Sequence, residues 1–189
     1  MAVEAELKAL VREPDAVAEK LRDLADEQPE TYRDVYFDRA GGGLTEADQE
    51  LRVREIESKS GTRSLLTFKD AAVDKASDSK PEYETAVENA ATMREIFGYL
   101  GYEVLVRLTK SCRNYRFEAH GRPMLATLVT VPEVDDTFIE LETQAEYDDV
   151  GSALDDVRAV LTDLGIDEAD LTTEKYTATV RRVRGEREG

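Results

Sequence analysis

Two of the side chains that most often build protein active sites are nearly missing from this sequence. Among its 189 residues there is one cysteine, Cys112, and one histidine, His120. A single cysteine cannot form an intrachain disulfide, which fits a reducing compartment. The same scarcity speaks against a zinc site of cysteine and histidine and against a histidine-based catalytic triad. Any bound metal must then be held by carboxylates, which favours Mg²⁺ or Mn²⁺ over Zn²⁺.

Positive charge and long apolar segments are also scarce. Lys and Arg number 25 against 42 Asp and Glu, and the formal net charge is −17. Nucleic acids and anionic membrane surfaces bind proteins that carry a positive field, so neither is expected as a general partner. No apolar run approaches the roughly 20 residues of a membrane span, and no signal-peptide pattern opens the chain. A cytoplasmic location is predicted.

The first eight residues, MAVEAELK, alternate between apolar or small side chains and charged ones. In an extended strand this period of two places Glu4, Glu6 and Lys8 on one face. Two carboxylates on one strand face lie about 7 Å apart, so both can reach one hard cation. A half-buried strand with a solvated charged face has the same pattern, so periodicity alone leaves both interpretations open.

Aromatic, β-branched and alternating segments predict further strands, separated by glycine, proline and polar turns. The predicted strands are 32–38, 51–56, 65–69, 80–86, 102–108, 112–119, 124–131, 138–142 and 172–180. The predicted amphipathic helices are 14–28, 89–100 and 150–164. Strands and helices in this order indicate an α+β fold with a mostly antiparallel sheet. Residues 1–180 are predicted to form a single domain and residues 181–189 a frayed tail.

The charged faces of the predicted strands differ in sign from strand to strand. Glu-x-Glu pairs occur in two of them, at Glu4/Glu6 and Glu140/Glu142. Cations occur in others, at Arg52, Arg54, Lys69 and Lys110. If the sheet closes with these faces inward, the interior holds an acidic wall and a basic wall. Unpaired buried charges are costly, so such an interior must be wet and hold a divalent cation together with a polyanion. That combination is a site for triphosphate chemistry.

Eight short motifs, taken in order, resemble those of the CYTH superfamily, the triphosphate tunnel metalloenzymes. The motifs are Glu4-Ala-Glu-Leu-Lys8, Asp34-Val-Tyr-Phe-Asp38, Leu51-Arg-Val-Arg-Glu55, Thr67-Phe-Lys69, Pro81-Glu-Tyr-Glu84, Leu100-Gly-Tyr102, Phe138-Ile-Glu-Leu-Glu142 and Lys175-Tyr176. Each is weak by itself, but their order and spacing are specific and cover nearly the whole chain. The resemblance implies an eight-stranded antiparallel β-barrel, the triphosphate tunnel, with flanking helices.

The resemblance also implies roles for individual residues. The implied metal ligands, for Mg²⁺ or Mn²⁺, are Glu4, Glu6, Glu140 and Glu142. The implied triphosphate-binding residues are Lys8, Arg52, Arg54, Lys69, Lys110, Arg113 and Lys175. Of these, the implied catalytic residues are Lys8, Arg52, Arg54 and Lys69. Two further carboxylates, Glu82 and Glu84, either pair with tunnel cations or face solvent.

Two departures from the family pattern bear on activity. Where the family has Lys-x-Arg-x-x-Tyr, this chain reads Lys110-Ser-Cys112-Arg113-Asn-Tyr115. Either Cys112 replaces the arginine or Arg113 supplies it, and alternation points these two side chains to opposite faces. Where the family has an aspartate on the penultimate tunnel strand, this chain has Pro132. Either Glu133 substitutes for that aspartate or the site lacks it.

Within the family, the layout is most similar to that of class IV adenylyl cyclases. That similarity implies conversion of ATP to cyclic AMP and pyrophosphate, and a homodimer. The alternative is an inorganic or thiamine triphosphatase, in which water attacks the terminal phosphorus. A third interpretation is a non-catalytic protein that binds a nucleotide or polyphosphate, which the departure at Pro132 makes credible.

The acidic composition, together with 17 Arg against 8 Lys, predicts a halophilic protein. Mutual repulsion of so many carboxylates is screened at molar salt and grows as the salt is diluted. We therefore expect the protein to unfold when NaCl falls from molar concentration to about 0.1 M, where the Debye length is about 10 Å. Circular dichroism across a salt series measures this, and a spectrum indifferent to salt would contradict the halophilic hypothesis.

Overall fold

The computed structural model describes residues 2–188, which form eight strands and five α-helices. The strands are β1 (Ala2–Val11), β2 (Gln28–Arg39), β3 (Glu50–Ser58), β4 (Gly61–Lys69), β5 (Lys80–Val87), β6 (Tyr102–Ala119), β7 (Arg122–Val131) and β8 (Val134–Glu146). The helices are α1 (Pro14–Leu24), α2 (Gly43–Glu46), α3 (Ala90–Tyr99), α4 (Val150–Leu164) and α5 (Tyr176–Glu188). None of these helices has the length and apolar composition that crossing a membrane requires.

The eight strands close into a barrel in which each strand runs antiparallel to both neighbours. The order around the barrel is β1-β5-β4-β3-β2-β6-β7-β8, and β8 pairs with β1 again. Seven of the eight strand pairs are extensive, whereas β1 and β5 meet at only two positions, Val3↔Pro81 and Glu4↔Lys80. The predicted fold, an eight-stranded antiparallel barrel with flanking helices, is confirmed.

The pairing of β1 with β8 shows how alternation sorts the side chains. Glu6 lies opposite Glu142, and Lys8 lies opposite Glu140. These charged side chains line the barrel interior. The residues between them, such as Ala5, are buried on the outer wall. Each strand therefore contributes residues both to the core under the helices and to the barrel interior, because successive side chains point to opposite faces.

Helices cover the apolar outer wall on two sides. Helix α4 buries one continuous stripe there: Val150, Ala153, Leu154, Val157, Val160, Leu161 and Leu164. This stripe belongs to the largest core, which also contains Ile139 and Leu141 of β8 and Leu21 of α1. On another side, Phe97 of α3 packs on Phe37 of β2 with ring centroids 5.1 Å apart. These two contacts hold the barrel wall without using its interior.

The turn between β6 and β7 has the conformation that its sequence predicts. Ala119 pairs with Arg122, so only His120 and Gly121 connect the two strands. Their φ angles are 53° and 74°. A two-residue hairpin with positive φ at both positions matches the right-handed twist of the strands, and glycine tolerates such φ without steric cost.

Three predicted elements differ in the structure. The strands predicted at 102–108 and 112–119 are one continuous strand, β6. The segment 172–180 is no strand, because helix α5 begins at Tyr176. The same helix continues through 181–188, the residues predicted as a C-terminal tail. Met1 and Gly189 lie outside the described residues.

A substitution at Leu141 tests the packing between the barrel wall and the helices. Its side chain is fully buried between the barrel wall and the helices. We expect Leu141→Ala to lower the free energy of unfolding by about 2–5 kcal/mol, since it removes buried methyl groups and leaves a cavity. Chemical denaturation measures the change. Leu24→Ala, at a position that is 51% exposed, is the matched control and should stay within about 0.5 kcal/mol of the parent. Equal effects of the two substitutions would contradict this packing.

Candidate active site

The barrel encloses a cavity of about 420 Å³ whose lining is dominated by charge. Its cations are Lys8, Arg52, Arg54, Arg63, Lys69, Lys80, Lys110, Arg116 and Lys175. Its carboxylates are Glu4, Glu6, Glu50, Asp78, Glu82, Glu84, Glu140 and Glu142. The lining holds nine cations against eight carboxylates, whereas the whole protein has 25 Lys and Arg against 42 Asp and Glu, so cations are enriched in the cavity. The cavity is therefore suited to an anion although the protein as a whole is acidic.

Three carboxylates form a compact cluster on one wall of the cavity. One oxygen each from Glu4, Glu6 and Glu142 lies within 4.8 Å of the other two. Glu6 and Glu142 face each other across the β1–β8 pair, and Glu4 is one inward position before Glu6. The cluster is thus built by strand alternation and by the register of one pair of strands.

The cluster carries more negative charge than its surroundings balance. Burial and the charges of Glu140 and Glu4 raise the pKa of Glu6 to about 8. Burial and the charges of Glu4 and Glu6 likewise raise the pKa of Glu142 well above its ordinary value. Like charges in a shared low-dielectric space disfavour ionisation. The cluster thus holds protons at neutral pH unless a cation replaces them.

Lys69 is the cation closest to this cluster. Its ammonium pairs with Glu4 and lies 3.0 Å from Glu82 and 4.0 Å from Glu6. Burial opposes ionisation of Glu4, but the charge and hydrogen bond of Lys69 outweigh it and lower the pKa of Glu4. Glu82 therefore faces a tunnel cation, which settles the alternative that its sequence pattern left open. Glu84 accepts a hydrogen bond from Thr67, at 2.9 Å.

Two arginines of β3 stand on the opposite wall and differ in how they are bound. Arg54 makes a bidentate ion pair with Asp34, with both N–O distances 2.7 Å. Its guanidinium also lies over the ring of Tyr32, 4.3 Å from the centroid. Arg52 donates to the hydroxyl of Tyr36 at 3.4 Å, and its buried Nε has no hydrogen-bond partner. Buried donors are normally satisfied, so this one is a place where an anion oxygen fits.

A second charged group lies at the level of Lys8. Lys110 pairs with Glu140 at 3.3 Å. Burial opposes ionisation of Glu140, but the charges of Lys110 and Lys8 outweigh it and lower its pKa to about 2. Lys8 and Lys110 both lie over the ring of Tyr176, 4.4 and 4.2 Å from its centroid. Glu140 is thus an ionised partner of lysines, distinct from the three-carboxylate cluster.

The segment 172–177 lies across one end of the cavity, here called the covered end. The backbone N–H of Thr172 donates to the carbonyl of Lys8 at 2.8 Å. Lys175 lies 2.7 Å from Glu50, 3.3 Å from Asp48 and 3.6 Å from Asp78. Lys175 therefore faces the cavity from the covered end and is held there by carboxylates from three different segments.

Ten of the eleven residues predicted for the site line this cavity. The four glutamates and six of the cations do so, and Arg113 does not. Inward positions on β6 include Lys110 and Cys112, and Cys112 is buried in the apolar interior cluster. Arg113 follows on the outward face and lines a separate surface cleft, so its role in substrate binding stays a prediction that this cavity does not support. Cys112 stands where the family's arginine was expected.

Of the two alternatives for the missing aspartate, the geometry favours a site that lacks it over one in which Glu133 substitutes. Its carboxylate pairs with Arg184 of α5, outside the cavity. The residues of β7 that line the cavity are Leu125 and Thr127. Thr127 is buried and donates to the Asn114 side chain at 2.8 Å. Strand β7 thus gives the cavity no carboxylate.

Several lining residues were missed although their strands were read correctly. Glu50 continues the alternation of Arg52 and Arg54, and Arg116 continues that of Lys110 and Cys112. Lys80 is 2% exposed, pairs with Asp48 and lies 3.7 Å from Glu50. Extending each alternating pattern by one or two positions would have identified them.

The donor set fits a hard divalent cation. Three carboxylates converge on one another, and two of them have raised pKa values because burial and the neighbouring carboxylates outweigh the nearby lysines. Oxygen ligands of this kind suit Mg²⁺, Mn²⁺ or Ca²⁺. Glu4, Glu6 and Glu142 are the residues that would hold it, whereas Glu140 is engaged by Lys110.

The family is shown by comparison with known proteins. The model of the CYTH domain matches residues 2–176, so this chain belongs to the CYTH domain family. Members of this family are in general metal-dependent. A protein of Methanocaldococcus jannaschii named "Putative adenylate cyclase" is 24% identical over 177 residues, covering 92% of this chain and 96% of that protein.

Solved structures share the fold. The PH1819 protein of Pyrococcus horikoshii aligns with a TM-score of 0.78 at 24% identity, covering 92% of this chain and 95% of that one. A Vibrio parahaemolyticus protein described as a putative adenylate cyclase aligns with a TM-score of 0.78 at 18% identity, covering 94% and 97%. A Hippeastrum protein described as a putative adenylyl cyclase with a dominant triphosphatase activity aligns with a TM-score of 0.68 at 15% identity, covering 96% of each chain.

The carboxylate cluster predicts a pH dependence in metal-free protein. An unfolded glutamate ionises near pH 4.3, whereas Glu6 in the folded protein ionises near pH 8. Between these values the folded state holds a proton that the unfolded state has released, so the free energy of unfolding falls as pH rises. Glu6→Gln should flatten this decline, measured by denaturant unfolding at pH 5 and pH 8 in a chelator. Glu57→Gln, on the outer surface, should retain it. An unchanged slope in Glu6→Gln would contradict the assignment.

Proposed function

We propose that this protein is a divalent-metal-dependent enzyme acting on a triphosphate, and that it converts ATP to cyclic AMP and pyrophosphate. The observation that carries the proposal is the pairing of two sites inside one cavity. A three-carboxylate cluster fits a divalent cation, and a buried arginine with an unpartnered Nε faces the same space. A metal–triphosphate complex supplies both the positive charge the first site needs and the negative charge the second needs.

The cations of the cavity bind and orient the phosphate chain. Arg52 offers free donors to a phosphate oxygen, while Asp34 fixes the guanidinium of its neighbour Arg54. Lys8 and Lys110 lie toward the covered end, on either side of Glu140. Placed before the reaction begins, such donors stabilise the charge that develops on the phosphoryl oxygens without reorganising.

The bound metal would act as a Lewis acid on a phosphate oxygen. The chain's own contribution to cyclisation is to hold the ribose near the phosphorus that its 3′-hydroxyl attacks. That attack forms the new O–P bond at the α-phosphorus and breaks the bond to the β-phosphate oxygen, so pyrophosphate leaves. The proton of the 3′-hydroxyl passes to solvent, because the lining carboxylates with raised pKa values, Glu6 and Glu142, are the ones that would hold the metal.

A second candidate is hydrolysis of the terminal phosphate, as in an inorganic or thiamine triphosphatase. One observation favours it: β7 contributes no carboxylate to the cavity, and Glu133 is paired with Arg184. An enzyme of the cyclase type that lacks this group can still hold a triphosphate and let water attack. The Hippeastrum relative, with its dominant triphosphatase activity, supports the same alternative.

Incubation with ATP and with tripolyphosphate, each with Mg²⁺ and with Mn²⁺, tests the proposal. Cyclic AMP and pyrophosphate in equal amounts are expected from ATP, and a chelator should abolish both. Orthophosphate without cyclic AMP would overturn cyclisation in favour of hydrolysis, and no product from either substrate would overturn enzymatic function.

Arg52→Gln supplies the matching variant. The substitution should reduce kcat/KM by about 100-fold or more, because removing one hydrogen-bond donor to a transition state usually has an effect of this size. Arg33→Gln is the control, since Arg33 lies on neighbouring strand β2 and pairs with Glu57 on the outside of the barrel. A similar loss in both variants would contradict a specific role for Arg52.

A further inference from the structure

A cleft of about 350 Å³ lies on the outside of the barrel, where residues of α3 and α5 meet strands β2 and β6. It is here called the α3–α5 cleft. Four arginines line it, one from each of these elements: Arg33, Arg94, Arg107 and Arg184. Asp34 also lines it but is paired with Arg54 inside the barrel. Glu55 and Glu133 are then the two carboxylates that oppose four arginines, so this cleft attracts anions although the protein is acidic.

Two of the four arginines are already occupied. Arg33 pairs with Glu57 at 2.7 Å, and Arg94 pairs with Glu55 at 2.6 Å. Arg107 is exposed, and its side chain has no hydrogen bond or ion pair with the residues that the structure describes. The guanidinium of Arg107 is therefore free to bind an anion.

Arg184 brings a second guanidinium to residue Arg107. Its Nη1 donates to the backbone carbonyl of Arg107 at 2.7 Å, and its Nε donates to Oε1 of Glu133 at 3.1 Å. These bonds hold the guanidinium in one position and leave some of its N–H groups available. One free guanidinium next to one held guanidinium suits an oxyanion with several oxygens.

Glu133 decides which oxyanion fits. Its Oε1 accepts from Arg184, but its Oε2 is buried and has no hydrogen-bond partner in the described part of the chain. A buried acceptor without a donor is costly. A suitable anion must therefore also carry a proton that it can donate to this oxygen. Inorganic phosphate keeps one proton at neutral pH, whereas sulfate has a similar shape and charge but no proton.

The α3–α5 cleft is separate from the triphosphate cavity, and no residue lines both. Part of it also lies outside the segment that the family's model matches. That match ends at residue 176, and Arg184 lies on α5 beyond it. Glu133 follows Pro132, the position where the sequence departs from the family's aspartate. The cleft thus depends on residues particular to this chain.

We infer that the α3–α5 cleft binds inorganic phosphate as its monohydrogen dianion. Arg107 and Arg184 bind the unprotonated oxygens, and the P–OH group donates to Oε2 of Glu133. Bound phosphate links β6 to α5, whose first residue, Tyr176, lines the triphosphate cavity. This second site does not depend on the proposed function.

Isothermal titration calorimetry at neutral pH, in a chelator, tests the inference with sodium phosphate, sodium sulfate and methyl phosphate. Phosphate should bind to one site. Sulfate should bind about tenfold more weakly or worse, because it brings a second acceptor against Glu133. Methyl phosphate should also bind more weakly, since a phosphate monoester loses its last proton near pH 6.

Arg107→Ala should weaken phosphate binding about tenfold, because it removes the free guanidinium. The variant should remain folded, since this side chain has no partner to lose. Arg181→Ala is the matched control, because Arg181 is an exposed arginine of α5 that does not line the cleft. It should keep the Kd within about twofold of the parent.

Glu133→Gln tests the proton requirement. The amide can donate to an anion oxygen, so this variant should lose most of the preference for phosphate over sulfate. Arg52→Gln, in the triphosphate cavity, should leave phosphate binding unchanged.

Equal affinity of the parent protein for phosphate and sulfate, or for phosphate and methyl phosphate, would overturn the inference. Loss of phosphate binding in Arg52→Gln but not in Arg107→Ala would also overturn it, because phosphate would then occupy the triphosphate cavity. So would equal weakening by Arg107→Ala and Arg181→Ala, or no binding of phosphate by the parent at millimolar concentration. None of these results bears on the proposed function, which is measured with ATP and tripolyphosphate.

Discussion

The structure depends on opposite charges that share one enclosed bore. Burying a charge is costly unless it is paired, and most charges here are: Arg54 with Asp34, Lys69 with Glu4, and Lys110 with Glu140. Two features remain unbalanced. The three-carboxylate cluster holds protons that a bound cation would replace, and Arg52 retains an unpartnered donor. A fold that leaves one surplus of each sign in the same cavity is complementary to a ligand that brings a cation and an anion together.

Most of this site could be predicted because strand alternation depends on local sequence alone. The period of two puts Glu4 with Glu6 and Arg52 with Arg54 on one face each, whatever the tertiary structure. Charged strand faces are costly to bury against an apolar core. The sheet therefore closes into a barrel with these faces lining a polar interior. Residues whose inward position was predicted from this alternation, such as Lys110, lie in the cavity. Arg113 was chosen because it is an arginine, although the alternation places it on the face opposite to that of Lys110. It lies on the outer wall.

The predictions failed where contacts between distant segments of the chain determine the structure. Residues 172–180 contain several threonines and resemble a strand, but the chain pairs with β1 only at Leu171 and Thr172 before it forms a helix. The chain instead crosses the covered end and forms α5. The partners of Lys175 come from loops and from the start of β3, at Asp48, Asp78 and Glu50. No periodicity in the sequence could have brought those segments together.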